Sequence, residues 1–109
     1  MLCAAVVEDK IFQALADPSR RAILESLTRG EAAVKDLTAR FDISQPAVSQ
    51  HLATLKEAGL VNARRDGRRV YYRVKPRGMK PLIDWIAHYR VFWTEHVDRL
   101  EQLLEKMDE

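Results

Sequence analysis

The chain holds a single cysteine, Cys3, so no disulfide can close within it, and no Cys or His stands beside it to complete a metal site. Its plain role is that of a small hydrophobe near the terminus. The four glycines and four prolines are scattered, and no low-complexity tract, internal repeat or linker interrupts the chain, which excludes a disordered segment. No apolar run approaches the roughly 20 residues that span a bilayer. MLCAAVV is too short for a signal peptide and lacks its basic lead-in. These absences predict a soluble, cytoplasmic protein with no membrane contact. No Ser/His/Asp, Cys/His or paired-acid arrangement can be placed around a cleft, so an enzyme is not expected and no cofactor is implied.

What the chain does contain is a 109-residue sequence, 47% hydrophobic, that predicts one small domain over 1–109 whose core gains from a partner subunit. Its net charge of +2 conceals an asymmetry: Val61 to Lys80 carries eight Lys/Arg against one acid, Asp66, whereas Pro81 to Glu109 carries seven acids against three bases. The first stretch suits phosphates and the second does not.

Apolar residues at steps of three and four predict helices. Val7, Ile11, Phe12 and Leu15 mark the first, over Ala4 to Ala16. Asp17 caps a second that carries Pro18 in its first turn and buries Ile23, Leu24 and Leu27 up to Gly30. A third is predicted from Glu31 to Phe41, with Val34, Leu37 and Phe41 inward. After a turn at Asp42-Ile43, Ser44 N-caps a fourth helix with Pro46 in its first turn. Val48, Leu52 and Leu55 form its inner side, leaving Gln45, Ala47, Ser49, Gln50 and Thr54 outside. Glutamine can bond adenine through two hydrogen bonds and alanine can touch a thymine methyl, so this face suits base edges. His51, beside the buried stripe, is placed to donate to a phosphate.

Gly59 is set to end that helix with positive φ, with Leu60 packing back onto it. Two strands follow, about Val61 to Arg65 and Arg68 to Val74, joined by Asp66-Gly67 as a two-residue hairpin turn. That turn puts Val61 and Ala63 on one face with Val70, Tyr72 and Val74. Arg64, Arg69 and Arg73 then point the other way, and Arg65 and Arg68 sit at the tip. Such an arm could enter a minor groove or lie along the backbone. The final helix, about Lys80 to Lys106, carries Leu82, Ile86, Tyr89, Trp93, Val97, Leu100, Leu104 and Met107, with Ile83, Phe92 and Leu103 widening the stripe. At about 25 residues it reaches about 38 Å, more than so small a domain can cover. Together with the first helix (Val7, Ile11) it is the expected dimer interface, of the isologous two-fold kind.

The fold class expected is therefore mainly α, a winged helix-turn-helix in the order helix, helix, helix, helix, strand, strand, long helix. The segments ALADPSRRAIL at Ala14 to Leu24, ISQPAVSQHLATLKEAGLV at Ile43 to Val61 and RRDGRRVYYRV at Arg64 to Val74 resemble the ArsR/SmtB family of small bacterial repressors over nearly the entire chain. The resemblance implies that the helix opening at Ser44 enters the major groove of duplex DNA and that Arg64 to Arg69 form the wing tip. It further implies a homodimer that represses its operator until an unidentified effector loosens binding. Many relatives sense metals through cysteines in the third helix, where this chain has Ala32, Ala33, Val34, Lys35 and Asp36. Others use acids and histidines on the terminal helices; here the candidates are Asp84, His88 and His96, and three residues beyond His96 stands Arg99, which is no ligand. The segment GMKPLIDWIAHYRVFWTEHVDRLEQLLE is similar to a subgroup without a metal site, so none is expected. Two alternatives stay open: a metal-responsive repressor of the same fold, and a winged helix that binds a protein instead of DNA.

Overall fold

The computed structural model describes residues 2–108, with side chains for residues 9–107. Five α-helices and a small sheet follow in the order α1 (Leu2–Leu15), α2 (Pro18–Leu27), β1 (Ala32–Ala33), α3 (Val34–Phe41), α4 (Gln45–Glu57), β2 (Val61–Asp66), β3 (Arg69–Val74) and α5 (Lys80–Asp108), with a 3-10 turn at Pro76–Met79 before α5. The expected order thus needs correction, because a strand stands between the second and third helices and α3 starts at Val34 instead of Glu31. Ala32 and Ala33 pair antiparallel with Tyr72 and Tyr71 of β3, giving a sheet of order β1-β3-β2. Alanine favours helix on its own, and here a distant strand overrides that preference. The helix begins where the Asp36 carboxylate turns back to accept from the Ala33 amide at 3.0 Å.

The hairpin turn also sits one residue along from its expected place. Asp66 pairs with Arg69, so Gly67 and Arg68 form the two-residue loop, with Gly67 at φ 63°. Each cross-strand partner moves by two residues, one full period of a strand, so no side chain changes face.

The motif ADPSRR makes a corner between α1 and α2. Asp17 accepts from the Ser19 and Arg20 amides at 2.7 and 3.2 Å, capping α2. Arg20 in turn donates to the carbonyls of Ala14 and Gln13, and Arg21 to that of Leu15, which satisfies the otherwise open end of α1. Acceptance of the Arg20 amide holds the Asp17 carboxyl below its ordinary value.

Ile11, Ile23, Leu37, Val48, Leu52, Leu55, Leu60 and Val61 are the largest fully buried side chains. At roughly 1.5–3 kcal/mol each relative to exposure, they dominate the stabilisation of the fold. Three of them come from α4 and two follow it directly, so the core grips α4 from within and fixes its orientation. Its end is closed by Gly59 at φ 79°, with the Gly59 amide donating to Lys56 and the Leu60 amide to Leu55, both at 3.0 Å.

α5 departs from this packing. Only Leu82 joins the core; every described residue beyond it on α5 is exposed. The helix has 29 residues, about 44 Å, and it stretches the radius of gyration to 18.4 Å where about 13 Å is usual for this length.

Candidate nucleic-acid interface

α4 is held as a two-sided element. Ser44, in extended backbone with φ −65° and ψ 150°, accepts from the Ala47 amide at 3.2 Å, and Pro46 sits in the first turn where no amide hydrogen is needed. Val48, Leu52 and Leu55 are fully buried, while Gln45, Ser49 and Gln50 are exposed. Ser44 is exposed too, although its hydroxyl is engaged in the cap.

Ala47 and Thr54, expected outside, are half-buried. The Thr54 hydroxyl donates to the Gln50 carbonyl at 3.1 Å, and its side chain borders a small recess shared with Lys10 and Gln13 of α1. It therefore lies toward α1, away from the open side. Ala53 takes that place: it is exposed and stands three residues from Gln50 and four from Ser49, on the same helix face. The His51 ring is half-buried with its Nδ1 enclosed and unpartnered. An enclosed nitrogen without a partner is not available to a ligand, which leaves Nε2 as the ring nitrogen that can meet a group from outside the protomer.

The wing divides its arginines into two groups. Arg64 does not point free as the hairpin pattern suggested: its guanidinium grips the Glu31 carboxylate through two nitrogens, Nε to Oε2 at 3.2 Å, and lies 5.1 Å from the Tyr71 ring centroid. Asp66 adds a weaker pairing at 3.9 Å. The hydrogen bond to Arg64 holds the Glu31 carboxyl below its usual range, and the same bond raises Arg64 above its own. Arg64 thus ties the wing to the segment before β1. By contrast Arg65, Arg68, Arg69 and Arg73 are exposed and make no ion pair among the described residues.

Between the wing tip, the start of α3 and the start of α4 runs an open groove. Lys35, Asp36, Gln45, Arg68 and Arg69 line it over an apolar floor that includes Val34 and Val70. Lys35 was not singled out by sequence, because a lone lysine at a helix start carries no pattern of its own.

On α5 the residues expected to pair with a second copy are mostly open. Ile86, Tyr89, Trp93, Val97, Leu100 and Leu104 range from 40% to 59% exposed, and Ile83, Phe92, Leu103 and Met107 are exposed with them. Ile11 and Leu82, expected in the same interface, are 0% and 8% exposed within the protomer and so belong to its own core. Helix period alone cannot tell a residue that packs inside from its neighbour one turn away that packs outside. Among the described side chains of α1 the large exposed apolar one is Phe12, whose ring meets Trp85 edge-on at 5.3 Å, with Tyr89 continuing the row at 5.0 Å. The Val7 side chain lies outside those described.

Asp84 bonds Lys80 at 3.0 Å, His88 lies edge-on to Tyr89, and His96 Nδ1 is 2.9 Å from the Phe92 carbonyl. Among the described residues no group of three or more His, Cys, Asp or Glu is placed to hold a metal ion. Among the same residues no helix is long and apolar enough to cross a membrane.

Residues 17–63, from the α2 cap into the first strand of the wing, match the bacterial regulatory protein, arsR family. Over 97 residues the chain is 42% identical to the HTH-type transcriptional regulator Rv2034 of Mycobacterium tuberculosis, covering 89% of this chain and 88% of that protein. It is 33% identical to the transcriptional repressor SdpR of Bacillus subtilis, over 74% of this chain and 90% of the repressor. A crystal structure of an ArsR family transcriptional regulator superposes with a TM-score of 0.74 at 32% identity, covering 83% of this chain and 93% of its own. A possible transcriptional regulator for arsenical resistance superposes at 0.68 with 45% identity, over 82% and 90% of the two chains. With a capped, outward-facing α4 beside a cationic wing, the chain belongs to the arsR family of bacterial regulatory proteins and is a sequence-specific DNA-binding transcriptional regulator of winged helix-turn-helix fold.

Proposed function

We propose that the protein is a homodimeric repressor that reads an imperfect inverted repeat, each protomer seating α4 in a major groove with its wing along the neighbouring backbone. The observation that carries this reading is the division of α4: Val48, Leu52 and Leu55 lock one side into the core, while Gln45, Ser49 and Gln50 stand exposed on the other. Amide and hydroxyl groups of this reach suit base edges in the major groove. Arg65, Arg68, Arg69 and Arg73, which make no ion pair among the described residues, supply cations for phosphates, and the half-buried His51 ring adds a hydrogen-bond donor. Similarity to the B. subtilis repressor favours repression as the outcome.

The homodimer follows from α5. A stripe including Ile86, Trp93, Leu100 and Leu104 lies open to water along most of the helix. An exposed apolar surface of this extent marks an interaction site, and a two-fold pairing of α1 and α5 covers it with itself. A pair of that kind sets the two α4 helices one turn of DNA apart, roughly 34–36 Å, or a multiple of it.

The test is selection of duplexes from a random pool by the purified protein, with and without added zinc. The expected product is one inverted repeat recovered equally in both conditions. Gln45→Ala and Gln50→Ala should then weaken binding to the selected duplex more than to random DNA. Equal losses on both duplexes would overturn base reading, and recovery only without zinc would favour the metal-responsive alternative.

A further inference from the structure

We propose that the groove between α3 and the wing tip is a seat for one DNA phosphodiester, with Lys35 a phosphate-binding residue of the regulator. The inference rests on the DNA-binding reading above and extends it to a third element of the fold. Three observations carry it. Lys35, Arg68 and Arg69 line one groove from two separate elements, with Gln45 of the base-facing helix at its edge. None of the three cations takes part in an ion pair among the described residues, although Arg64, a few residues away on the same wing, is committed to Glu31. The one acid in the groove, Asp36, is engaged in accepting from the Ala33 amide and leaves three positive charges against one.

A backbone strand running past the start of α4 meets this groove while its bases face Gln45. Lysine acts there as a mobile point charge and does not depend on bidentate geometry. Phosphate contact carries no sequence information, so Lys35 should add affinity and register without preference for a base.

The experiment measures affinity for a selected and a random duplex across a series of KCl concentrations, for the full chain and for Lys35→Ala, Lys35→Arg and Lys10→Ala. Lys10 sits beyond the opposite end of α4, paired with Glu57 at 3.8 Å, and serves as the charge-matched control. Loss of one phosphate contact should reduce the slope of log affinity against log salt by about 0.9, equivalent to about eightfold weaker binding at 0.1 M salt relative to 1 M. Lys35→Ala should show that change on both duplexes, whereas Lys35→Arg and Lys10→Ala keep the slope of the parent. An unchanged slope in Lys35→Ala, in a parent that binds DNA, overturns the seat and leaves the DNA-binding reading standing. A loss confined to the selected duplex overturns it too, since that would assign Lys35 to a base. If the parent has no salt-dependent affinity for either duplex, the DNA-binding reading falls and this inference falls with it.

Discussion

Gly78 offers the most demanding test of how the DNA-reading helix is coupled to the dimer helix. It lies in the 3-10 turn that joins the wing to α5, and its requirement is space and not unusual φ. A Cβ added there would overlap the Gly59 carbonyl oxygen and come within 3.0 Å of the Gly59 carbonyl carbon and 3.1 Å of Leu60 Cα. None of these is the end of a flexible side chain. Gly59 and Leu60 are held by their amides to Lys56 and Leu55, and the Leu60 carbonyl accepts from the Lys75 amide at 2.9 Å. Leu60 and Val61 are also sunk in the core, so the clash can be relieved only by shifting the end of α4 or by lifting the turn off it. Overpacking of a close-packed site costs about 1–3 kcal/mol, and rigid backbone on both sides puts Gly78→Ala toward the upper end. For a chain near 100 residues, each kcal/mol moves Tm by roughly 4–8 °C, so a fall of about 10 °C or more is expected. The assay is thermal unfolding followed by circular dichroism at one fixed protomer concentration, because dimerisation makes Tm concentration-dependent. Gly67→Asn is the control: its φ of 63° suits asparagine and no atom lies within 4 Å of an added Cβ. A Tm for Gly78→Ala within about 2 °C of the parent would refute the argument that α4 and the start of α5 are joined by direct backbone packing.

Trp93→Ala removes a large, 59% exposed ring from the α5 stripe, and the dimer dissociation constant should rise by about 30-fold, the effect of a hot spot worth ~2 kcal/mol. Sedimentation equilibrium reads this directly, and an unchanged constant would move the interface elsewhere. Glu31 has a folded pKa below its ordinary 4.5, so its pairing with Arg64 stabilises the fold above that value and is lost as pH falls through the lower folded one. The parent should therefore lose more stability than Glu31→Gln as pH drops below about 4.5; parallel denaturation curves for the two proteins would show the pair to be idle.

Much of the fold was legible because its signals are local. Asp17-Pro18 and Ser44 with Pro46 start helices through their own side chains, and Gly59 ends one through its own φ. The Val48, Leu52, Leu55 spacing announces a buried side whatever the rest of the chain does. The face of each wing residue was equally readable, since strand alternation survived a turn displaced by one position. The exposed side of α4 followed as the complement of its buried stripe, with Ala47 and Thr54 as the exceptions.

The remainder depended on partners far away along the chain. Ala32 and Ala33 become a strand only because β3 passes beside them, about 40 residues later, and no preference of alanine anticipates it. Arg64 differs from Arg65, Arg68 and Arg69 in nothing but its neighbours: Glu31 stands 33 positions earlier and converts it from a free cation into a tether for the wing. Lys35 gains its place for the converse reason, since the wing tip folds over to α3 and builds a cationic groove from two stretches that are each unremarkable alone. Ile11 and Leu82 share the period of their interface neighbours, yet the packing of α1 and α5 turns them inward. Short-range capping and periodicity are energies a segment owns by itself, and they decided where α2 and α4 begin and which way the hairpin side chains face. Ion pairing and burial exist only between segments, and they decided which of several equivalent side chains remains available to DNA or to a second protomer.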